Sequence, residues 1–441
     1  MNKELREEIG GLLRHEVLLA TGCTEPGAVA LAVAKACELL AGSPEQVTLR
    51  LSKNVFKNAM GVGIPGTGMI GLPIAVAMAV THGQSRRGLE VLTIPPEQVD
   101  DAKQWLASHA DNIDIGVEED CDKLYVACTV RCGAHLAEAV IAKRHTNFVL
   151  LKREGEVLLD EKGGIATNVA EPKESDNTPQ LTVRMVFEYA NSAPLDEIAF
   201  LRDTVLYNTA ASECGLEGKG LHTGAIIMQQ ANGDIVHTVV ARTVAASDAR
   251  MDGCTLPVYS NSGSGNQGIA CTLPPYYYGK LKGCNDDVIL RALTLSHLMS
   301  IYVKRGIGRL SALCGIVNAT MGAAAALTYI EAHCIASEKG AAVDSEQVLC
   351  QVGFTLKNMI NTLAGMVCDG AKPSCALKMS TGLYSAFVCA ELACHNRVVD
   401  ATDGLSERDV DCSINNLGRL GHDGMNETDD MVLDIMTHKN N

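Results

Sequence analysis

The spacing of hydrophobic residues changes along the chain and predicts two kinds of structure. Residues 1–42 carry apolar positions at helical intervals, and we expect two helices there, separated by a turn at Gly22. The second helix should begin after Thr24, whose hydroxyl can cap it. Between residues 46 and 170, short segments such as VTLRLSKNVF, LEVLTI, IDIGVE and KLYVACTVRCG alternate apolar and polar residues, which is typical of strands.

A second change follows the polar stretch 168–178, whose composition is typical of a linker. Beyond it, several long segments have helical periodicity, and some are apolar almost all round, as central helices of a bundle are. We therefore predict an α+β fold, in which an α/β domain with a mixed sheet is inserted after an N-terminal helical pair and packs on a mainly helical domain. The expected divisions are the N-terminal helices 1–45, which join the helical domain, the α/β domain 46–178, and the helical domain 179–441.

Charge and hydropathy exclude two classes of partner. The 441 residues carry a formal net charge of −15 and no long run of Lys or Arg, which argues against nucleic acid. The longest apolar run, near Ile70–Val80, is too short to span a bilayer, and the charged N-terminal helix lacks the apolar region of a secretory signal. We expect a cytoplasmic protein that acts on a small molecule without nucleic acid or membrane. A homo-oligomer is compatible with the sequence.

Four of the seventeen cysteines lie among small residues that leave room beside the sulfur. They are Cys23 in TGCTEP, Cys314 in LSALCG, and Cys368 and Cys375 in GMVCDGAKPSCALK. The chain contains no CxxC, so zinc-ribbon and thioredoxin motifs are excluded, and cytoplasmic thiols stay reduced. Such thiolates bind metals or iron–sulfur clusters, or act as bases or nucleophiles. Burial in the core is the alternative for each of the four. Eleven others are expected to fill core or surface positions without a function: Cys37, Cys121, Cys128, Cys132, Cys214, Cys254, Cys334, Cys350, Cys389, Cys394 and Cys412.

The glycine-rich segment Ser260–Gly268, SNSGSGNQG, contains the GxGxxG spacing of dinucleotide sites. We expect Pro274 and Pro275 to end the following helix too early for that fold. A loop that presents N–H groups and hydroxyls to a small carboxylate is favoured over a plain connection between helices.

Arg250 and His145 are further candidates. Arg250 in AASDARMDG can clamp a carboxylate with two hydrogen bonds, or can form an exposed ion pair. His145, in the strand-like run KRHTNFV, can act as an acid or base, although a packed, hydrogen-bonded histidine is the commoner arrangement. The glycine loop Gly61–Ala75 is similar to an anion cradle but lacks the GK[ST] of a nucleoside triphosphate site.

With these motifs in order along most of its length, the chain resembles the L-cysteine desulfidase family, which is related to the alpha chain of iron–sulfur L-serine dehydratase. The segments that carry the resemblance are GCTEP (22–26), PGTGMIGLPIA (65–75), HTN (145–147), AASDARM (245–251), SNSGSGNQG (260–268), RLSALCG (309–315), and GMVCDGAK with SCALK (365–378). One departure is the region from Tyr329 to Lys357, which is longer than the family pattern by a turn or more of helix.

The resemblance implies a cytoplasmic lyase that carries an oxygen-sensitive [4Fe–4S] cluster and converts L-cysteine to pyruvate, ammonia and sulfide. It implies that Cys314, Cys368 and Cys375 hold the cluster, which makes 179–441 the catalytic domain. Cys23 would be a further ligand or the base at Cα. His145 is a second catalytic candidate. The residues expected to bind the amino-acid substrate are Arg250, Ser262, Ser264, Asn266 and Lys378.

Three alternatives stay open. The same cluster chemistry can act on L-serine, since a hydroxyl also binds iron. A pyridoxal-phosphate lyase would instead form a Schiff base on Lys372 or Lys378. A non-catalytic thiol or metal sensor would use the same four cysteines without turning over an amino acid.

Overall fold

A six-stranded mixed sheet forms from the alternating segments of the first third of the chain. The computed structural model describes residues 1–161, 179–308 and 310–438. The strands are β1 (Leu19–Ala20), β2 (Gln46–Ser52), β3 (Ile113–Glu118), β4 (Tyr125–Cys132), β5 (His135–Ala142), β6 (Phe148–Arg153), β7 (Glu156–Asp160) and β8 (Val258–Tyr259). The large sheet has the order β3-β2-β4-β5-β6-β7; β2 and β3 run parallel, and the other neighbours run antiparallel.

Helices make up most of the remaining structure. They are α1 (Lys3–Glu16), α2 (Thr24–Leu39), α3 (Lys53–Ala59), α4 (Leu72–His82), α5 (Pro96–His109), α6 (Val183–Ser192), α7 (Leu195–Ile198), α8 (Leu201–Leu216), α9 (Thr223–Gln230), α10 (Ile235–Met251), α11 (Gly265–Leu281), α12 (Asp286–Ile307), α13 (Gly315–Glu338), α14 (Ser345–Leu363), α15 (Cys375–Cys394), α16 (Val410–Arg419) and α17 (Asn426–Thr437). In the described parts of the chain, no helix is both long enough and apolar enough to cross a membrane.

The hydrophobic pattern explains how these elements pack. In β2, the alternate residues Val47, Leu49 and Leu51 are completely buried, and helices α2 and α4 contribute to the same core. Helix α13 is buried without interruption from residue 316 to residue 330 and lies among α11, α12, α14 and α15. Its apolar sequence on every face is therefore that of a central helix, and the predicted α+β fold with a mixed sheet is confirmed.

The two N-terminal helices pack into different cores. Ile9 and Leu13 of α1 join the core of the helical part, whereas Val29 and Val33 of α2 join the core of the sheet. The apolar surface of α2 therefore covers the sheet, whereas α1 packs on the helices. The linker expected at 168–178 lies outside the described residues, and the domain boundaries stay predictions.

Two segments predicted as strands are helical. LEVLTI falls largely in a 3₁₀ segment, Ser85–Leu92, because the Glu38 carboxylate accepts hydrogen bonds from the Ser85 N–H (2.7 Å) and hydroxyl (2.6 Å) and holds the chain in turns. The strand predicted to reach Phe56 ends at Ser52, whose hydroxyl caps α3 by accepting a hydrogen bond from the Val55 N–H (3.4 Å).

Helix α11 does not end at its prolines. It continues through Pro274 and Pro275 to Leu281, so the expectation of a short helix after the glycine-rich loop is wrong. Proline removes one helical hydrogen bond at each position, but every residue from Gly265 to Pro275 is buried, and this packing holds the helix together. A dinucleotide fold is still not supported by the described residues, because the loop follows β8, a two-residue strand paired only with β1.

The crossing of α8 and α10 depends on a glycine and gives a stability prediction. A Cβ added at Gly215 would lie 1.8 Å from the Ala245 carbonyl oxygen, so the Gly215→Ala protein must separate the two helices. We expect a loss of about 1–3 kcal/mol of unfolding free energy, measured by denaturant titration. Gly11→Ala in α1, where an added Cβ meets nothing within 4 Å, should be neutral or stabilising by up to about 1 kcal/mol. Equal effects of the two changes would contradict this account.

Candidate active site

A two-stranded sheet brings the Cys23 segment to the glycine-rich loop. Strand β1 pairs with β8, and the Ser260 N–H (2.7 Å) and hydroxyl (2.8 Å) both donate to the Leu18 carbonyl oxygen. Residues more than 230 positions apart in the chain are therefore fixed beside one another. The sequence showed both motifs but not their contact, since short pairings of this kind leave no periodic pattern.

Cys23 lies beside Arg250. The Arg250 side chain, from the last turn of α10, donates from Nη2 to the Gly22 carbonyl oxygen (3.0 Å). Cys23 is 8 % exposed; burial raises the pKa of its thiol, and the Arg250 guanidinium opposes that rise. Cys23 itself is the N-cap of α2, so the expected Thr24 cap is wrong: the Thr24 hydroxyl donates instead to Glu25 Oε2 (3.0 Å). The thiol thus faces a positive helix end and a positive side chain.

Two buried polar side-chain atoms, one on Arg250 and one in the glycine-rich loop, lack protein partners. Among the described residues, neither Arg250 Nε nor Asn266 Oδ1 has a hydrogen bond, although Asn266 is only 7 % exposed. A Cβ at Gly265 would lie 2.3 Å from Arg250 Nε, so the guanidinium passes directly against the residue that precedes Asn266. An unpartnered donor and an unpartnered acceptor in one place are costly unless a ligand pairs with them.

Ser262 and Ser264 shape the loop between β8 and α11. Ser262 has a φ of 50°, and its hydroxyl donates to Asn261 Oδ1 (2.9 Å). Ser264 pairs back to Asn261 and caps α11, its hydroxyl accepting a hydrogen bond from the Gln267 N–H (3.5 Å). Both hydroxyls therefore have local partners, and their binding of a carboxylate stays a prediction.

A buried histidine that the sequence did not reveal supports this loop. The Asn261 side-chain amide donates to His297 Nδ1 (3.0 Å), and His297 Nε2 lies 3.0 Å from the Thr272 hydroxyl. Burial lowers the pKa of His297 to about 3, so the ring is neutral at physiological pH. Because Nδ1 accepts, the ring proton lies on Nε2 and is donated to Thr272. His297 lies in the apolar sequence of α12, which gives no signal of its contacts with Asn261 and Thr272.

Cys314 and Cys368 are brought together by a short antiparallel bridge. Leu313 pairs with Val367, the Cys314 N–H donates to the Met366 carbonyl oxygen (2.9 Å), and the Cys368 N–H donates to that of Ala312 (2.7 Å). Cys314 is the N-cap of α13 and Cys375 is the first residue of α15, so both thiols lie at positive helix ends. Cys314, Cys368 and Cys375, called the three-cysteine cluster below, interact electrostatically with one another.

One thiol of the three-cysteine cluster ionises before the others. A hydrogen bond from the Cys314 thiol lowers the pKa of Cys368 to about 6, against the effect of burial, and the nearby Lys57 and Lys378 lower it further. The same hydrogen bond raises the pKa of Cys314, and burial raises that of Cys375 to about 11. Cys368 is therefore the thiol of this cluster that ionises most readily, with Cys314 as its hydrogen-bond donor.

Three lysines surround this cluster. Lys57, 2 % exposed, forms an ion pair with Asp429 of α17. Lys378 pairs with Asp369; burial opposes its charge, but Asp369 raises its pKa overall. Lys378 is thus occupied by a carboxylate of the protein, while Lys372 lies half-buried with its pKa lowered by burial. Sequence analysis missed Lys57, because the alternation before it predicted a strand.

His145 lies in the turn between β5 and β6 rather than in a strand. The chain reverses at 143–147, and the Asn147 side-chain amide donates to the Ala142 carbonyl oxygen (3.2 Å) to stabilise the turn. The strand expected through His145 is therefore wrong, because this asparagine and its neighbours favour a turn.

Contacts between loops join Cys23 to the three-cysteine cluster. The Gln267 side-chain amide would lie 2.7 Å from a Cβ on Gly315, the residue after Cys314. A Cβ on Gly370 would lie 2.2 Å from the Lys57 carbonyl oxygen, and the Asn58 amide donates to Glu25 Oε1 (3.0 Å). Cys23 and Cys375 also belong to one hydrophobic core. These contacts link the segments that carry the four cysteines.

The donor set suits an iron–sulfur cluster better than a single ion. Within 1–161, 179–308 and 310–438, no three His, Cys, Asp or Glu side chains form a group that could hold one metal ion. A four-iron cluster spreads its thiolates over its own width, so its ligands need not converge on one point. Three thiols, helix N-termini and nearby lysines fit an anionic cluster. Cys314 and Cys368 contact each other directly, so one of these side chains would have to rotate to bind a cluster.

Comparisons with known proteins agree with the motifs. The family described as "Serine dehydratase alpha chain" matches residues 96–434. A "UPF0597 protein" of Bacteroides fragilis is 45 % identical over 447 residues and covers all of both chains. One from Porphyromonas gingivalis is 41 % identical over all of both chains, and one from Aeromonas hydrophila is 40 % identical over 97 % of this chain and 95 % of its own.

The family match covers more than three quarters of the chain, including Arg250, the glycine-rich loop and the three-cysteine cluster. It points to a serine dehydratase-like lyase and does not by itself identify cysteine as the substrate. The chain belongs to the serine dehydratase alpha chain family.

Proposed function

We propose that the chain is an iron–sulfur-dependent lyase that eliminates sulfide from L-cysteine to give pyruvate and ammonia. The observation that carries this proposal is the arrangement of two adjoining centres. One holds the three-cysteine cluster with its lysines; the other holds Cys23, Arg250 and the unpartnered Asn266 oxygen. A cluster ligand set next to a cation and an acceptor is what an α-amino acid requires.

The unpartnered atoms match the two ends of an amino acid. Arg250 carries a fixed positive charge, and its free Nε–H can donate to the substrate carboxylate while Nη2 stays bound to Gly22. Asn266 Oδ1 can accept a hydrogen bond from the substrate ammonium group. Together these two contacts orient the Cα–H bond, and binding removes the cost of leaving both atoms unpaired.

Cys23 is proposed as the base that takes the Cα proton. It interacts with Arg250, whereas the other three motif cysteines interact electrostatically with one another. Burial disfavours its thiolate, and Arg250 and the N-terminus of α2 favour it, so the proton can be held or released at its Sγ. This position supports a base rather than a further cluster ligand.

A bound [4Fe–4S] cluster supplies a Lewis acid for the β-substituent of the substrate. Cys314, Cys368 and Cys375 would hold it, and Lys57 and Lys378 would balance the charge of their thiolates. Proton removal by Cys23 then expels the β-sulfur, and the released aminoacrylate hydrolyses to pyruvate and ammonia. His145 remains a candidate for a later proton transfer.

L-serine is the second candidate substrate, because the matching family is described by that reaction. The same carboxylate and ammonium contacts serve both amino acids, which differ only in the leaving atom. Thiol affinity for iron favours cysteine.

Iron binding tests the ligand set. Wild-type protein purified without oxygen should contain about four iron and four sulfide per chain. Cys314→Ser, Cys368→Ser and Cys375→Ser should each lose most of this iron, whereas Cys350→Ser, at an exposed position, should retain it. Iron and acid-labile sulfide analysis measures the outcome. Wild-type protein without iron, or three site variants as well loaded as the control, would refute the set.

Replacement of the Arg250 guanidinium tests substrate binding. Arg250→Lys keeps the charge but loses the Nε–H donor, and we expect kcat/KM for L-cysteine to fall about 10- to 100-fold, mainly through KM. The control is Arg242→Lys, whose side chain pairs with Glu213 on the surface (2.5 Å). Sulfide release measures activity, and iron content and Tm confirm that the variant is folded and loaded. An effect no larger than that of the control would refute this role.

Substrate preference separates the two reactions. For anaerobic protein, we expect kcat/KM for sulfide release from L-cysteine to exceed that for pyruvate formation from L-serine by at least about 10-fold. D-cysteine serves as a control for the geometry of Arg250 and Asn266 and should react far more slowly. A preference for L-serine would be consistent with a lyase but would rule out L-cysteine as the preferred substrate.

A further inference from the structure

Two thiols outside the proposed site approach each other closely. Cys214 Sγ and Cys254 Sγ are 3.4 Å apart although 40 residues separate them in the chain. Both side chains are partly buried, and both are free thiols. A disulfide needs an S–S distance of about 2.05 Å, so small side-chain rotations would complete the bond.

Cys254 ends the segment that carries Arg250. This segment, residues 250–254, is called the Arg250 segment below. It leaves α10 through a turn in which the Gly253 N–H donates to the Arg250 carbonyl oxygen (3.2 Å) and the Cys254 N–H donates to that of Ala249 (3.0 Å). Gly253 also accepts a hydrogen bond from the Gly66 N–H (3.0 Å). The segment therefore lies between the end of α10 and the separate glycine loop at 61–75.

Cys214 offers this segment a fixed anchor. It lies in the last turns of α8, one residue before Gly215, where α8 packs against the backbone of α10. A covalent bond from Cys254 to α8 would therefore add a covalent attachment to the hydrogen bonds that already hold the Arg250 segment. The bond would close a loop through the crossing of the two helices.

We propose that Cys214 and Cys254 form a reversible disulfide, driven by a low-molecular-weight disulfide oxidant such as oxidised glutathione, that ties the Arg250 segment to α8. Formation of this disulfide does not depend on the proposed lyase activity, because it uses none of the cluster thiols, although the tethered segment carries Arg250.

The disulfide forms by two thiol–disulfide exchange steps. The Cys254 thiolate attacks the oxidant, forms a mixed disulfide and releases one thiol; Cys214 then loses its proton, attacks the Cys254 sulfur and releases the second thiol. Two electrons and two protons pass from the protein to the oxidant. Burial and the contact with Cys254 raise the pKa of Cys214, and we therefore assign it the resolving step. The balance is the same if the two thiols exchange roles.

A second thiol pair provides a matched control. Cys284 Sγ and Cys334 Sγ are 3.5 Å apart, nearly the same distance, but they lie beside the ion pair of Lys282 and Glu331 (3.0 Å), away from the Arg250 segment. A disulfide there would join elements that the ion pair already connects. The Cys284→Ser protein therefore removes a comparable pair without touching the proposed one.

The experiment maps disulfides in the full chain. Protein reduced without oxygen is incubated with oxidised glutathione, alkylated and digested with trypsin. We expect peptide 203–219, which holds Cys214, to be linked to peptide 251–280, which holds Cys254. The link should persist in Cys284→Ser and disappear in Cys214→Ser and Cys254→Ser. Dithiothreitol should reverse it.

Hydrogen exchange then tests the tether. Amides of residues 250–256 should exchange more slowly in the oxidised than in the reduced wild type, and at equal rates in Cys254→Ser under both conditions. Separate glutathione adducts on Cys214 and Cys254 without a cross-link would overturn the disulfide. A cross-link that leaves these exchange rates unchanged would overturn the attachment. Neither result depends on iron or on turnover, so failure here is distinguishable from failure of the lyase proposal.

Discussion

The candidate site depends on a pairing of only two residues in each strand. The hydrogen bonds between the segments at 18–20 and 258–260 hold Cys23 against the end of α10, where Arg250 reaches the Gly22 carbonyl oxygen. Without this pairing, the Arg250 guanidinium would face no fixed thiol, and Cys23 would not lie at the end of α10. A few backbone hydrogen bonds between distant segments thus create the chemical environment that neither segment has alone.

Much of the fold was predictable because its signals are local. Alternation in β2 and in β4, and the apolar sequence of α13, follow directly from which faces are buried. The four motif cysteines could be singled out for a similar reason, since small neighbours and helix starts are visible in the sequence. The structure adds that Cys314 and Cys375 lie at helix N-termini, where the helix dipole favours a thiolate against the effect of burial.

The remainder rests on long-range contacts that carry no periodic signal. Pro274 and Pro275 predict a helix end, yet burial on all sides keeps α11 intact. Lys57 lies in a stretch whose alternation favours a strand, and its partner Asp429 is 372 residues away. His297 is one of many residues in an apolar helix until Asn261 and Thr272 are placed beside it. In each case tertiary packing decides between local alternatives.

The ion pair between Lys57 and Asp429 also bears on how the protein is made. Lys57 helps to lower the pKa of Cys368, and its own counter-charge comes from α17, at 426–437. During synthesis the sheet and α3 emerge long before that helix. The thiols at Cys314, Cys368 and Cys375 can therefore reach their final electrostatic state only once almost the whole chain has left the ribosome. If these cysteines hold the proposed cluster, its assembly is accordingly an event of the completed chain rather than of the growing one.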